Sequence, residues 1–485
     1  MLTTAVHQLR HAARVLALRR FGVADVEATV ADMRATLEEF GAPGADLDML
    51  PGGQQDDPEI QAALAARRIR QTVRSAARHV PYYRHWFAGN GVSPEDITID
   101  TVGQIPPTSK DALRSAPGSF VSEAAEAVLL VPTTGTTGLP TNLWLSRHEL
   151  DLYAALNAIS LMVNGGLRSH HVLASAVTSR STLPAVNTAR ALSLIGAGYV
   201  PLGTVDPRIV LDRLATPLHV PGKKPQITHI NLFPSHLGAI TQLAERDGWS
   251  PADFGLEEIF TGGEIMTSAL AERAAEAFGA EVLDGYGATE ITPVAGTPCR
   301  QQHLHIPAEH AWIELLNPVT HQPAGPGELA TFVVTPYLSY RETTVLLRYD
   351  TGDLVRRLPA PPDCEMRALP ATSQVLGRQA AGAAGPVTRD ILEVIQAERE
   401  VPLPTRYAVT EDSVGLLLHV VAPGCSARLL SRLEQRAADR QLPVRGIVLV
   451  DQSEDLPVPC KVRADLTEHS FELDRVAAAP ARSPA

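Results

Sequence analysis

The chain has 485 residues, of which 45% are hydrophobic and 20% charged, so wholesale disorder is excluded and there is room for more than one domain. With 42 basic and 54 acidic residues the formal net charge is −12, and no Lys/Arg run concentrates positive charge, so we expect no nucleic-acid partner. Four cysteines are too few for a dense disulfide framework. Because no apolar run reaches the roughly 18 to 20 residues that span a bilayer, we expect a soluble protein without a membrane partner. The low cysteine count favours a reducing, cytoplasmic compartment.

The first 90 residues predict helices. Apolar positions recur at three- and four-residue spacing over residues 23–40 and 60–87, and residues 1–22 predict an amphipathic helix. From about residue 127 onward, short apolar runs alternate with helical stretches. These runs cover residues 127–131, 172–176, 227–232, 258–260 and 281–283. The alternation predicts buried strands joined by helical crossovers, and hence an α/β sheet.

The pattern of apolar and turn residues changes at two further points in the sequence. Residues 311–316 and 327–335, separated by turn residues, predict a smaller antiparallel section. After the Ala/Gly-rich stretch 379–385, the pattern predicts helix, strand, helix and strand over residues 391–398, 407–421, 427–439 and 444–450. The predicted fold class is therefore α/β, with two domains. Residues 1–376 would form a large N-terminal domain of mixed β-sheets packed with helices, beginning with the helical segment 1–90. Residues 377–485 would form a small, mobile C-terminal α+β domain.

A threonine- and glycine-rich loop follows the first predicted strand. It contains Thr133, Thr134, Gly135, Thr136, Thr137 and Gly138. Glycine lets backbone N–H groups approach an anion, and threonine hydroxyls can donate to phosphate oxygens. The spacing of a P-loop NTPase is absent, because Leu139 follows the second glycine. The loop on its own predicts either a phosphate site or a plain surface turn.

Three later segments follow this loop in order: DGYGATE at 284–290, YDTGDL at 349–354 and LGR at 376–378. Together with the loop, they resemble the signatures of the adenylate-forming superfamily, which includes acyl-CoA synthetases and the adenylation domains of peptide synthetases. HVPYYR at 79–84, PTSKDAL at 107–113 and RYDTGD at 348–353 resemble its phenylacetate-CoA ligase branch more closely. The resemblance covers roughly residues 60 to 465.

The resemblance implies a two-step reaction that uses ATP and Mg²⁺. A small, aromatic carboxylic acid would form an acyl-adenylate with release of pyrophosphate, and CoA would then displace AMP. One alternative keeps the adenylation but sends the acyl group to the phosphopantetheine of a carrier protein, to an amine or to a phenol. A second alternative is a noncatalytic nucleotide-binding scaffold. A homodimer is left open.

The resemblance also implies the roles of individual residues. Glu290 would be the Mg²⁺ ligand, Thr289 would donate to the α-phosphate, Tyr286 would stack on adenine and Asp353 would accept from the ribose hydroxyls. Arg378 would lie near the ribose or phosphate at a hinge. The remaining residues implied for ATP or AMP binding, besides the six of the loop, are Gly263, Glu264, Asp284, Gly285 and Gly287.

Lysine usage adds an argument that is independent of family. The only lysines are Lys110, Lys223, Lys224 and Lys461, so nearly every basic position is arginine. A compact ammonium cannot be replaced geometrically by a guanidinium where a point charge must reach a phosphate. Lys461 also matches the C-terminal catalytic lysine of the family, although Cys460 stands where glycine is usual. We therefore predict Lys461 as catalytic, together with Thr289 and Glu290.

Two further sites are weaker predictions. The acyl pocket is predicted around His229, Asn231 and Phe233, which follow a strand, and around Gly287 and Ala288. A histidine beside a strand is equally consistent with a packed side chain.

Some relatives in the phenylacetate-CoA ligase branch carry a structural zinc on a Cys, a His and a later Cys-x-Cys. The matching residues are Cys299, His305 and Cys364, but Met366 replaces the last cysteine. Three ligands leave tetrahedral zinc one short unless His303 completes it, so we favour a site without zinc.

Overall fold

A computed structural model describes residues 22–40, 58–133, 141–177, 182–364, 366–367, 369–378, 388–424 and 426–457, together with Val6 and Ala13. The chain divides into two compact units. Unit 1 comprises Met1–His171, Arg180–Gly198 and Gly285–Val375, and unit 2 comprises Val172–Ser179, Tyr199–Asp284 and Leu376–Ala485. The predicted domain boundary at residue 376 coincides with the start of the last segment of unit 2, which also contains residues 199–284. The division into a large N-terminal domain and a small C-terminal domain therefore stays a prediction.

The helices, in chain order, are α1 (Val23–Phe40), α2 (Pro58–His79), α3 (Pro81–Asn90), α4 (Lys110–Ser115), α5 (Arg147–Val163), α6 (Thr182–Ile195), α7 (Pro207–Ala215), α8 (Pro234–Asp247), α9 (Ser268–Phe278), α10 (Thr388–Gln396) and α11 (Ala427–Asp439). Of the described helices, none combines the length and apolarity that crossing a membrane requires.

The strands, in chain order, are β1 (Leu129–Pro132), β2 (Asn142–Leu145), β3 (Val172–Ser175), β4 (Gly198–Pro201), β5 (His229–Leu232), β6 (Glu258–Gly262), β7 (Glu281–Gly287), β8 (Ala295–Pro298), β9 (His303–His305), β10 (Ala311–Leu316), β11 (Leu329–Pro336), β12 (Tyr349–Arg356), β13 (Ala371–Ser373), β14 (Gly377–Arg378), β15 (Tyr407–Asp412), β16 (Gly415–Val421) and β17 (Val444–Val450).

The predicted helices of the N-terminal segment are partly correct. Helix α1 confirms the prediction over residues 23–40. The helical pattern predicted over 60–87 forms two helices, because Val80 adopts an extended backbone (φ −108°, ψ 113°) and Pro81 begins a new helix, α3. Proline disfavours a helical conformation in the residue before it, so the helical pattern is interrupted there. The helix predicted over 1–22 lies almost entirely outside the described residues.

Unit 1 contains antiparallel strands that carry much of the candidate site. Strands β10, β11 and β12 form one antiparallel sheet, and β1 pairs with β2 on either side of the threonine- and glycine-rich loop. The end of β7 pairs with β8, β8 with β9, and β9 with β13.

Unit 2 contains a sheet with the strand order β7-β6-β5-β3-β4, in which β3, β5 and β6 are parallel. One face packs against α7, α8 and α9 through a continuous apolar core that includes Ala174, Ile230 and Ile259. Helices and parallel strands thus confirm the predicted α/β class.

The C-terminal part of unit 2 has its own apolar core, in which α10 and α11 pack on strands β15 to β17. Strands β16 and β17 are parallel. The single strand predicted over 407–421 is wrong, because a turn at Ser413 and Val414 divides it into the antiparallel hairpin of β15 and β16. Periodicity alone did not reveal this turn, since its valine continues the apolar pattern.

Candidate active site

Two sequence motifs that lie far apart in the chain are joined in unit 1 by a hydrogen bond. Tyr286, at the end of β7, donates from its hydroxyl to Oδ2 of Asp353, on β12, at 3.0 Å. Asp353 is buried, with 6% of its surface exposed. The ring of Tyr286 is tilted by 30° against Phe332, with 5.4 Å between the ring centroids. The residues predicted for adenine and ribose are therefore in direct contact.

A second tyrosine links the same motifs in the opposite direction. Tyr349, at the start of β12, donates to Oε1 of Glu290 at 3.1 Å. Glu290 lies in the short 3₁₀ turn Thr289–Ile291 that follows β7 and is 4% exposed. Nζ of Lys110, the first residue of α4, lies 3.0 Å from the same oxygen. The predicted Mg²⁺ ligand is thus a buried carboxylate fixed by one hydroxyl and one ammonium group.

A bulge in β12 sets the position of Asp353. The register between β11 and β12 shifts because Thr331 pairs with Leu354 whereas Val333 pairs with Asp350. The residues between Asp350 and Leu354 therefore form a bulge, in which Gly352 has a φ of +69°. Oδ1 of Asp350 accepts from the amide of Gly352 at 2.9 Å. Bulges of this kind re-aim side chains near functional sites, and this one requires glycine at its left-handed position.

The predicted phosphate loop is described only at its base. The amide of Thr133 donates to the carbonyl of Thr141 at 2.8 Å, and the amide of Thr141 donates to the hydroxyl of Thr133 at 2.9 Å. Together with the pairing of Pro132 and Asn142, these bonds close the neck of the loop. The other predicted loop residues, Thr134 to Gly138, lie outside the described residues, as does Lys461.

Within unit 2, the predicted Gly263 and Glu264 form a tight loop on α8. Gly263 has a φ of +77°, and a Cβ atom there would lie 3.0 Å from the ring of Phe233. The carboxylate of Glu264 accepts from the amide and the hydroxyl of Ser235, at 2.8 and 3.1 Å. It therefore caps the N-terminus of α8, where a negative charge is stabilised by the helix dipole.

The remaining predicted nucleotide residues occupy different environments. Oδ1 of Asp284 accepts from the hydroxyl of Thr261 at 2.9 Å within unit 2. Arg378 is exposed and forms the end of β14. Gly287 pairs with Ala295 at the end of β7 in unit 1.

The predicted acyl-pocket residues of β5 have unequal environments. His229 is 1% exposed, its Nδ1 lies 2.8 Å from the Thr228 hydroxyl, and its ring stacks on Phe260 with 5.8 Å between centroids. This environment is that of a packed histidine. Asn231 is half-buried, and its Oδ1 atom has no hydrogen-bond partner among the described residues. Asn231 therefore differs from His229 in having an unpaired acceptor among the described residues.

Three sulfur and nitrogen donors converge at the β8–β9 hairpin of unit 1, and a second cysteine, Cys364, lies beside one of them. The donor atoms of Cys299, His303 and His305 all lie within 4.8 Å of one another. Sγ of Cys299 is 3.5 Å from Nδ1 of His303, and Sγ of Cys364 is 3.3 Å from Nε2 of His305. Tetrahedral zinc with its usual bond lengths requires sulfur–nitrogen separations of about 3.5 Å. Because Nδ1 of His305 lies 3.2 Å from the carbonyl of Leu369, Nε2 is directed to the cluster.

This cluster changes the expectation for zinc. The sequence favoured a site without zinc because Met366 replaces a cysteine, but His303 lies within 4.8 Å of the donor atoms of Cys299 and His305. The three converging donors, with Cys364 beside His305, are of the types that bind zinc.

Lys110 and Tyr349 were not predicted as site residues, although both lie in the quoted motifs. The signal for Lys110 was available, because it is one of only four lysines in the chain. Tyr349 carried no comparable signal, since a tyrosine at the start of an apolar strand is typical of a core position.

Parts of this site lie in a segment that is similar to known proteins. The family model described as "AMP-binding enzyme" matches residues 92–331, which contain the threonine- and glycine-rich loop and the DGYGATE motif. The sequence is also 29% identical over 300 residues to the phenylacetate-coenzyme A ligase of Pseudomonas putida and 27% identical over 300 residues to that of Thermus thermophilus.

Over residues 92–331 the chain is therefore similar to AMP-binding enzymes. Its sequence is similar to the phenylacetate-CoA ligase branch, which confirms the resemblance seen in the motifs. Each of the two alignments covers 60% of this chain, and they cover 65% and 64% of the respective ligases, so the chain spans less than two thirds of either relative.

Solved structures of superfamily members share the fold. A 2-hydroxyisobutyryl-CoA ligase in its postadenylation state aligns with a TM-score of 0.68 at 20% identity, over 86% of this chain and 93% of that one. A benzoate CoA ligase from Burkholderia xenovorans LB400 aligns with a TM-score of 0.52 at 19% identity, over 73% and 70% of the two chains. These likenesses confirm the adenylate-forming fold.

Proposed function

We propose that the protein is an ATP-dependent acid–thiol ligase. It would convert a small aromatic carboxylic acid to an acyl-adenylate, with release of pyrophosphate, and then transfer the acyl group to CoA. The observation that carries the proposal is the reciprocal pair of tyrosine–carboxylate hydrogen bonds, Tyr286 to Asp353 and Tyr349 to Glu290. This pair fixes a ribose-binding carboxylate and a metal-binding carboxylate relative to each other before any ligand arrives.

Each carboxylate suits its proposed role. Asp353 is buried and oriented by Tyr286, and a carboxylate can accept from both ribose hydroxyls. Glu290 offers the hard oxygen ligand that Mg²⁺ prefers. Bound there, Mg²⁺ would offset the negative charge that builds up on the α-phosphate. Lys110 adds a positive charge beside the same carboxylate.

The remaining roles belong to this proposal as well. Thr289, next to Glu290, would donate to the α-phosphate, and the threonines of the loop would hold the outer phosphates. Lys461 would bring its ammonium between the acid and the α-phosphate. Arg378 and the Gly263–Glu264 loop would contact the nucleotide.

The first experiment is acid-dependent exchange of pyrophosphate into ATP, measured with a panel of aromatic and small aliphatic acids. We expect exchange with one class of acid, and Asp353→Ala should need a higher ATP concentration for the same exchange rate. ATP binding without exchange for any acid would favour the noncatalytic scaffold instead. The acceptor is then tested by offering the adenylate either CoA or a pantetheinylated carrier protein; transfer to the carrier alone would overturn the CoA assignment.

We also propose that Cys299, His303, His305 and Cys364 bind one structural Zn²⁺. The support is the pair of sulfur–nitrogen distances, which match tetrahedral zinc, and the burial of both cysteines and of His305. The metal would fix the β8–β9 hairpin relative to the segment that carries Cys364.

Metal analysis of the purified protein tests this proposal. We expect about one zinc per chain and a lower melting temperature after chelation. His303→Ala should lose the metal, whereas His310→Gln, a control in the same unit, should keep it. A metal-free wild-type protein that is indifferent to chelator and to added Zn²⁺ would contradict the proposal.

A further inference from the structure

The turn that carries Glu290 is held in place through the backbone carbonyl of Thr292, two residues further on. Nη1 of Arg341 donates to this carbonyl oxygen at 3.2 Å, and the hydroxyl of Tyr153 lies 3.2 Å from it. A carbonyl oxygen has two lone pairs, so two donors satisfy it fully. The hydroxyl of Thr292 also donates to the carbonyl of Ala288 at 3.3 Å, which ties the two ends of the turn together.

Arg341 reaches this carbonyl from the loop between β11 and β12, 49 residues along the chain. The residue is 1% exposed. Its Nε donates to the carbonyl of Thr344, within the same loop, at 2.9 Å. Because a guanidinium group is a rigid planar fork, the bond to Thr344 also sets the direction of the bond to Thr292. Arg341 therefore fixes the turn relative to the loop that precedes β12.

Glu149 attaches the same loop to helix α5. It is 0% exposed, and its Oε1 accepts from the amides of Glu342 and Thr343 at 2.8 and 3.1 Å. Its Oε2 accepts from the amide of Ser146, the residue before α5, at 2.6 Å. Nε of Arg341 lies 3.8 Å from Oε1, so the two buried charges face each other. The loop, the arginine and the start of the helix thus form one buried network in unit 1.

Tyr153, on α5, contributes the second donor to this network. It is 2% exposed, and its hydroxyl lies 3.0 Å from the carbonyl of Tyr340 as well as 3.2 Å from that of Thr292. Burial raises the pKa of Tyr153, so the hydroxyl keeps its proton at neutral pH. This single proton is shared between two carbonyl oxygens. Tyr153 therefore supports Arg341 but does not replace it.

A buried ion pair of this kind is weak evidence for stability, because the cost of removing two charges from water offsets much of their attraction. The geometry instead favours a role in orientation, since the network ends on a carbonyl two residues from Glu290. The side chain of Glu290 is already held by Tyr349 and Lys110. Arg341 holds its backbone from another direction. Both the backbone and the carboxylate of the proposed metal ligand are thus fixed.

We propose that Arg341 is a positioning residue for the Mg²⁺ site and that Tyr153 supports it. By holding the carbonyl of Thr292, Arg341 fixes the turn that presents Glu290 to the metal. The inference rests on the proposed function, because it takes Glu290 to be the Mg²⁺ ligand. Residues that orient a ligand without touching the metal contribute about 10- to 100-fold to metal affinity.

The test measures metal binding directly. Mn²⁺, which takes the same oxygen ligands as Mg²⁺, is titrated into protein saturated with a nonhydrolysable ATP analogue, and free Mn²⁺ is read from its EPR signal. Arg341→Lys keeps the charge opposite Glu149, but a single ammonium cannot reproduce two donors at a fixed angle. We expect Mn²⁺ affinity to fall about 10-fold in Arg341→Lys and about 3-fold in Tyr153→Phe. The Mg²⁺ concentration that half-saturates pyrophosphate release should rise by the same factors.

Arg68→Lys is the matched control. Arg68 is another buried arginine of unit 1, 7% exposed, and it donates to the backbone carbonyl of Glu309 at 3.0 Å. We expect Arg68→Lys to lower the melting temperature and to leave the Mn²⁺ affinity unchanged. Tyr337→Phe, which alters a buried tyrosine of the same unit, is the control for Tyr153→Phe. An equal loss of Mn²⁺ affinity in Arg68→Lys and Arg341→Lys would reveal a general structural effect and overturn the inference.

A double variant shows whether Arg341 acts through Glu290. If it does, the variant that combines Arg341→Lys with Glu290→Gln will bind Mn²⁺ no more weakly than Glu290→Gln alone. Additive losses overturn the inference, and so does wild-type affinity in Arg341→Lys when Glu290→Gln has lost affinity. Mn²⁺ binding that depends on both residues, without adenylation of any acid, supports the inference and overturns the proposed function alone.

Discussion

The hydroxyl of Tyr286 lies 3.0 Å from Oδ2 of Asp353, although 67 residues separate the two in the chain. The tyrosine comes from the motif predicted to meet adenine and the aspartate from the motif predicted to meet ribose. The bond orients the carboxylate before the ribose arrives. Preorganisation of this kind lowers the cost of ordering a side chain on binding.

Removing the Tyr286 hydroxyl should weaken ATP binding without stopping the chemistry. In Tyr286→Phe the ring remains to stack on adenine, but Asp353 loses a hydrogen bond to a charged group, which contributes about 1.5–3 kcal/mol. We expect the KM for ATP to rise by about 10-fold while kcat changes little. Pyrophosphate release measured over a range of ATP concentrations gives both constants.

The matched variant is Asp353→Ala, which should raise the KM for ATP further. If the two side chains act together, the double variant will be no worse than Asp353→Ala alone. Additive effects in this cycle would contradict the orienting role of Tyr286.

Changing Glu290 should alter the dependence on metal. Glu290→Gln keeps the size of the side chain and removes its charge, so we expect a fall in kcat of about 10²–10³ and a need for more Mg²⁺. Tyr349→Phe removes only the supporting hydrogen bond and should cause a smaller loss. The measurement is the rate of adenylate formation against Mg²⁺ concentration. An unchanged Mg²⁺ dependence in Glu290→Gln would remove this residue from the metal site.

Lys461 is expected to serve only the first half-reaction. Lys461→Ala should slow adenylate formation by roughly 10²–10³ or more, because a charge that stabilises the transition state is lost. Preformed adenylate should still react with CoA at nearly the wild-type rate. Single-turnover assays of the two steps separate these effects. Equal slowing of both halves would contradict the assignment, and Lys224→Ala, in a surface ion pair with Glu257, is the control.

The sequence predicted elements best where pattern and boundary signals agree. Helix α11 and strands β10 and β17 have the predicted bounds, since each is a periodic run bordered by turn residues. Predictions failed where one residue overrides periodicity, as Pro81 does between α2 and α3. Motif residues could be predicted, but not the contacts between them.

Contacts between distant residues are decided by tertiary structure. The pairing of Tyr349 with Glu290 depends on the register of β12, and the role of Glu264 as a helix cap depends on the approach of its loop to Ser235. His303 was recognised as a potential ligand, but only the hairpin brings it to Cys299. The spacing of these residues in the sequence does not predict how close they lie in the folded protein.

His310 should make the protein sensitive to mild acid. Burial, together with the smaller effect of the positive charge of Arg68, lowers the pKa of this histidine from 6.5 to about 4. Because the folded state has the lower pKa, the unfolded chain takes up a proton as the pH falls from 6.5 to 4 while the folded chain does not. The free energy of unfolding should therefore decrease across this range, by about 3 kcal/mol from this residue alone.

His310→Phe, which keeps an aromatic ring beside Tyr340, should remove this part of the decrease. Urea unfolding of both proteins between pH 4 and 7 measures it, and parallel curves for the two would show that His310 is protonated equally in the folded and unfolded states.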